Sequence, residues 1–168
     1  ILDCPSVEKL VILCSKADLP STRFSEVISY EELLSMGSEN FEWIKGEETD
    51  ACGICYTSGT TGNPKGVVYT HRSNTLHALT QAAPDMLNLS STDTIMPVVP
   101  LFHANGWSIA YTAPLVGSSI VFPGGDLSPS SLYGMLERGV TITAAVPTVW
   151  LLLLNFLESE KKELSSLK

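Results

Sequence analysis

The chain has 168 residues, of which 44% are hydrophobic and 17% charged, a balance that fits a folded globular domain and argues against disorder. Ten basic residues against eighteen acidic ones leave a formal charge of −8. That balance counts against nonspecific nucleic-acid binding, which needs basic side chains to neutralise phosphates. A chain of this size can bury roughly 70% of the surface its unfolded form exposes, so a real core is expected.

Lys9 to Cys14 is a short apolar run and is expected to form a buried strand. Ser29 with Glu32 three residues on has the pattern of a capping box, so a short helix starts there and stops near Gly37. Residues 38–50 are polar and acidic and read as a surface connector, with Phe41 and Trp43 as anchors. Two β-rich runs follow, Ala51 to Tyr56 and Gly66 to Thr70, separated by a Gly/Thr/Ser loop. A helix is expected from near His71 to about Met86, then a strand over Asp93 to Pro100. Asn105 to Val116 reads as a helix with Pro114 near its end, and Ser118 to Phe122 as a strand.

Ser128-Pro129 opens a further helix, with serine as N-cap and proline in the first turn. Leu132, Met135 and Leu136 form its apolar stripe, and Arg138-Gly139 closes it. Val140 to Val146 is β-branched and extended, and Pro147 to Lys162 is an amphipathic helix. Strands that alternate with helices predict an α/β domain with part of its sheet parallel. No internal repeat or low-complexity segment is visible.

The four cysteines are Cys4, Cys14, Cys52 and Cys55. Cys52 and Cys55 form a C-x-x-C, which can mark a redox motif or half a zinc site. The pair lies in a predicted strand, and no second pair completes a tetrahedral set. Reduced, mostly buried thiols are the expectation, suited to the cytoplasm or a reducing organelle. The most apolar run, Val149 to Leu154, is far shorter than the ~20 residues a membrane span needs.

The sharpest feature is Tyr56-Thr57-Ser58-Gly59-Thr60-Thr61-Gly62-Asn63-Pro64-Lys65-Gly66-Val67. Its glycines permit close backbone approach, its hydroxyls and free N–H groups donate, and Lys65 adds positive charge. This is the composition of an anion cradle, and phosphate is the anion it suits. It is not a Walker A loop. Asn63-Pro64 intervenes before the lysine, no Ser or Thr follows it, and the next residues favour a strand over a helix.

On these residues the chain resembles the adenylate-forming (AMP-binding) enzyme superfamily: acyl-CoA synthetases, luciferases and peptide-synthetase adenylation domains. Val99-Pro100-Leu101-Phe102-His103-Ala104-Asn105-Gly106-Trp107 resembles the acyl-pocket and gate motif of the fatty acyl-CoA synthetase branch. Ala145-Val146-Pro147-Thr148-Val149-Trp150 is similar to the strand-to-helix segment that borders the acyl site. The resemblance covers nearly all of residues 1–168, but only the middle of the family's large N-terminal domain. It implies a partial α/β N-terminal domain with a phosphate loop between two strands. The expectation is an incomplete AMP-binding domain that lacks the C-terminal domain.

The implied reaction activates a fatty or short aliphatic carboxylic acid with ATP as acyl-AMP and passes it to coenzyme A. By resemblance, Thr57, Ser58, Gly59, Thr60, Thr61, Gly62, Lys65 and Gly66 bind the phosphates, and Thr57 also contacts Mg²⁺. His103 stands beside the reacting carboxylate. Trp107 gates the acyl tunnel, and Val146, Pro147 and Thr148 border it. His71 and His77, on different helix faces, read as structural.

The Tyr-Gly-x-Thr-Glu and Thr-Gly-Asp segments of the family are absent, as are its hinge and C-terminal lysine. The expectation is therefore a piece of a ligase, inactive alone. A carrier-protein adenylation domain, a luciferase-like oxygenase, a non-catalytic nucleotide-binding relative and a purely structural role are the alternatives. Acyl chain length and oligomeric state stay open.

Overall fold

The structure is a computed structural model that describes residues 6–58 and 62–167. It divides into two compact units, 1–45 and 46–168.

In the first unit, β1 (Leu10–Ile12) pairs in parallel with β2 (Val27–Ser29). The strand is shorter than Lys9 to Cys14 and only half-buried, and Leu13 is 82% exposed. The expectation of a buried strand therefore fails: a two-stranded ladder has no second layer to cover both faces. Helix α1 (Tyr30–Ser35) begins at the predicted capping box. The Ser29 Oγ accepts from the Glu32 amide at 3.2 Å, and the Ser29 amide donates to the Glu32 carboxylate at 3.0 Å. Lys16 Nζ lies 2.7 Å from the same carboxylate. Phe41 and Trp43 are not anchors. Both are exposed, and they stack edge to face on one another.

In the second unit, β3 (Ala51–Thr57) and β4 (Lys65–Thr70) form an antiparallel hairpin with a bulge between Ala51 and Gly53. Helix α2 (His71–Ala82) follows at once, capped by Thr70, whose Oγ1 accepts from the Ser73 amide at 3.1 Å. It ends four residues short of Met86. Pro84 forces Ala83 into an extended conformation, and the helix cannot pass it.

The core sheet is parallel, in the order β6–β5–β7. Its strands are β5 (Thr94–Val98), β6 (Ser119–Ile120) and β7 (Ile142–Ala145), each shorter than its apolar run in the sequence. Helices α3 (Ile109–Val116), α4 (Pro129–Leu136) and α5 (Pro147–Glu160) connect and cover them. Met96, Val98, Leu132, Leu136, Val140, Ala145 and Leu153 form one apolar cluster, and Ile95, Ile109, Ala113 and Ala144 belong to a second. The predicted α4 stripe is borne out: Leu132 and Leu136 are buried and Met135 packs against the first cluster.

Pro97 sits in the middle strand. Val121 donates to the Ile95 carbonyl at 2.9 Å, and the next ladder bond would need an N–H from Pro97. Proline has none, so β6 parts from β5 there. A cavity of about 430 Å3, lined by Pro97, Val98, Leu101, Phe122 and Leu127 among others, opens beyond that point.

Asp93 ties the three strands together at their N-terminal ends. It is 1% exposed. Its carboxylate accepts from the Ser90 amide at 2.9 Å, from Ser90 Oγ at 2.8 Å and from Thr141 Oγ1 at 2.8 Å. Its carbonyl accepts from the Ser119 amide at 3.0 Å and Ser118 Oγ at 2.9 Å.

Asp93→Ala removes the acceptor for three donors at once. It is expected to destabilise the fold by about 2–4 kcal/mol, read as a lower midpoint in urea denaturation. A pH effect is expected in the first unit. The Lys16 ammonium, then the Ser29 amide, hold the Glu32 carboxyl below the usual carboxylate range. The capping box is complete above about pH 4.3. It is lost as the pH falls through the lowered value. Amide protection factors over residues 29–36, each taken relative to the intrinsic exchange rate at the same pH, should fall on acidification from pH 6 to pH 3, and Glu32→Gln should abolish that fall.

Candidate functional site

The hairpin sets the position of the loop. Register pairs Thr57, the last residue of β3, with Lys65, the first of β4, so the loop from Ser58 to Pro64 leaves and returns at one place. Gly59, Thr60 and Thr61 lie outside the described residues. Gly62 has φ 151°, in a region that disfavours side chains. A Cβ on Gly66 would stand 2.8 Å from Ile54 Cδ1, so a larger residue there would push that exposed side chain aside. Thr57, Ser58, Gly62 and Lys65 are exposed.

The basic residues at the two ends of β4 are unequal. Arg72 is held by Glu48 at 2.5 Å, and the guanidinium keeps that carboxyl below its usual range. Lys65 makes no ion pair among the described residues, which leaves its charge available to an anion at the loop.

Cys55 joins the hairpin to the second motif. Its buried thiol lies 3.1 Å from Asn105 Oδ1 and 3.8 Å from the Phe102 carbonyl. Thr57, two residues further along the same strand, faces the same side of the hairpin as Cys55. The structure thus brings the loop and the His103 segment together. His103 itself precedes a turn, accepts from the Gly106 amide at 3.0 Å through its carbonyl, and is exposed.

The helix expected over Asn105 to Val116 is not continuous. Ala104, Asn105, Gly106, Trp107 and Ser108 all have positive φ, between 43° and 61°, and α3 starts only at Ile109. This is a left-handed turn, which costs about 1–2 kcal/mol for each residue with a side chain. Gly106 relieves one position, and a Cβ there would also meet Leu101 Cδ2 at 2.8 Å. Pro114 sits inside α3, two residues before its end.

Trp107 borders a cavity of about 550 Å3 between this turn and α2. The α2 side is polar: Ser73, Asn74, His77 and Gln81 line it. His77 Nδ1 lies 2.7 Å from Ser108 Oγ. One helical turn further on, Thr112 Oγ1 donates to Gln81 Oε1 at 3.0 Å. Sequence reading took His77 as structural without a partner and did not single out Ser108, Asn74 or Gln81. The available signal was the spacing of Asn74, His77 and Gln81, which places three polar side chains on one face of a helix.

Val146, Pro147 and Thr148 occupy the β7–α5 junction. Val98 pairs with Ala145, so the junction stands beside the Val99-Pro100 end of β5. None of the three lines the cavity that Trp107 borders.

The thiols differ. Cys55 is buried and Cys14 half-buried, but Cys52 is exposed, which corrects the expectation of mostly buried cysteines. The bulge leaves Cys52 without a partner residue on β4, and Asn74 Nδ2 donates to its sulfur at 3.1 Å. Cys4 lies outside the described residues.

The AMP-binding enzyme family model matches residues 4–168. The chain belongs to this family. It is 46% identical over 147 residues to a medium-chain-fatty-acid–CoA ligase of Ectopseudomonas oleovorans, covering 87% of this chain and 27% of that protein. It is 40% identical over 163 residues to a 3-methylmercaptopropionyl-CoA ligase of Ruegeria pomeroyi, covering 96% and 30%. Among solved structures it is similar to the O-succinylbenzoate coenzyme A synthetase of Bacillus subtilis in complex with ATP and magnesium ion. The TM-score is 0.68 at 29% identity, over 85% of this chain and 29% of that one. The chain therefore spans less than a third of the length of these relatives. The α/β fold expected from the family resemblance is borne out. Among the described residues no helix is long and apolar enough to cross a membrane.

Mild alkylation with iodoacetamide should label Cys52 well before Cys55. Peptide mapping by mass spectrometry reads the order, and Cys52→Ser should remove the earlier of these two labels.

Proposed function

We propose that residues 1–168 are the central part of the large N-terminal domain of an ATP-dependent acyl-CoA synthetase acting on a fatty or short aliphatic carboxylic acid. The observation that carries this reading is the joint placement of two motifs. An anion loop with a free lysine at its base is tied through Cys55 to the segment that holds His103 and Trp107. The curated relatives, CoA ligases for medium-chain and methylmercapto acids, support the same chemistry.

In the proposed reaction a carboxylate oxygen attacks the α-phosphorus of ATP, and the bond to the β-phosphate oxygen breaks to release pyrophosphate. The thiolate of coenzyme A then attacks the acyl carbonyl, and AMP leaves with the bonding electrons. Attack of one anion on another is slow unless charge is screened and geometry fixed. Lys65 and the N–H and hydroxyl groups of Thr57 to Gly62 and Gly66 supply the screening at the phosphates. His103, at the entry to the turn, stands where the carboxylate meets the nucleotide and donates to the developing charge. Trp107, with Val146, Pro147 and Thr148, borders the acyl side.

Bound Mg²⁺ would neutralise phosphate charge as a Lewis acid. Thr57 offers it one neutral oxygen, and no group of three or more His, Cys, Asp or Glu gathers as a metal cage among the described residues. Coenzyme A enters as co-substrate, and much of its site lies on the rest of the ligase.

In the full-length ligase, Lys65→Ala should lower kcat/KM for ATP about 10- to 100-fold, with the order of preference among acids unchanged. Pyrophosphate exchange across a panel of acids measures it. An unaltered ATP dependence would remove Lys65 from the phosphate site. ATP binding without exchange in the unmutated ligase would favour a non-catalytic relative.

A further inference from the structure

We infer that His77 is a positioning residue that fixes the left-handed turn carrying Trp107 and thereby sets access of the acid to the cavity beside it. The inference rests on the acyl-CoA synthetase reading for its kinetic consequence, but its structural part stands without it.

Five successive residues, Ala104 to Ser108, hold a handedness that a free peptide avoids. A strained run persists only where its surroundings over-determine it. Two side-chain contacts do so here, one on each side of Trp107. Asn105 Oδ1 is held by the Cys55 thiol at 3.1 Å, and Ser108 Oγ by His77 Nδ1 at 2.7 Å. Ser108 is buried, so its hydroxyl has little access to water as a substitute partner. Trp107, between the two, is 37% exposed and makes no side-chain hydrogen bond or ring contact among the described residues. Its position is therefore inherited from its neighbours.

The histidine pin has a fixed base. His77 stands on α2 one turn before Gln81, and Ser108 one turn before Thr112. Gln81 and Thr112 join the same two helices at 3.0 Å. Thr112 Oγ1 also lies 3.1 Å from the Ser108 carbonyl. The second contact locks the helix pair, and the first extends the lock to the turn. Loss of the first leaves α2 and α3 joined while the turn is released toward ordinary backbone conformations. Trp107 then moves relative to a cavity that it borders together with His77 and Ser108 themselves. Chemistry at the phosphates, on the far side of Cys55, is untouched.

The test uses the full-length ligase with Trp43 and Trp150 replaced by phenylalanine, and any tryptophan outside these residues likewise, so that emission reports Trp107 alone. His77→Leu should shift that emission and its quenching by iodide, and His77→Asn, which keeps a hydrogen-bonding group near the Nδ1 position, should restore both. In turnover, His77→Leu should raise KM for the acid about 5- to 20-fold with kcat and KM for ATP within about twofold. Ser108→Ala should reproduce this. The double variant should be no worse than either single, because both remove one contact. Multiplicative effects, an equal loss in kcat and in KM for ATP, or unchanged Trp107 emission would overturn the inference. An unmutated protein without ligase activity would overturn the proposed function, and the emission arm would still decide whether His77 holds the turn.

Discussion

One buried carboxylate governs where the parallel sheet begins. Asp93 precedes β5, and through side chain and carbonyl it receives donors from Ser90, Ser118, Ser119 and Thr141. Those residues lead into all three strands, so the strands start level. The carboxyl ends of β5 and β7 are then brought level by length, with Val98 opposite Ala145. A charge this deep is costly unless its acceptor sites are filled, and the cost falls when every strand is in place. The network thus rewards the complete sheet and penalises any partial one. It places the His103 segment and the β7–α5 junction side by side at the opposite edge.

From that edge the candidate site is built on connections. The hairpin contributes the anion loop, the segment after β5 contributes the left-handed turn, and Cys55 fastens one to the other. Strong local preferences explain the hairpin: β-branched residues in β4 and glycines at the bend. The turn is the reverse case, a conformation its own sequence resists at three of five positions, sustained by contacts from β3 and α2. A rigid scaffold supporting a strained connection is the arrangement expected where a side chain must be presented in one orientation.

The sequence was legible where a signal is local. The Ser29–Glu32 capping box, the Ser128-Pro129 helix start, the Leu132/Leu136 stripe and the strand–loop–strand character of residues 51–70 all follow from short-range chemistry. So did the family, from motifs of contiguous residues. Strand ends were not legible, because apolar runs such as Asp93 to Pro100 continue beyond the point where partners stop. The break at Ala104 to Ser108 was hidden for a different reason. Alanine, tryptophan and serine give no sign of positive φ, and only the tertiary partners of Asn105 and Ser108 impose it. The exposure of Cys52 was likewise invisible, since a bulge changes which face a strand residue occupies without altering composition. The polar face of α2 was present in the sequence, but of its members only His77 was considered, as structural, because nothing local said what the face would meet.

Pro97 gives the middle strand a property that side-chain packing could not. The parting of β6 from β5 could be zipped shut by a thermal fluctuation if each residue carried a donor. Here the missing donor is written into a ring of covalent bonds, so no rearrangement of the backbone restores the next rung. The seam is a permanent boundary condition, the same in every conformation the domain visits. Motion around it can change what enters the opening, but not whether the opening exists.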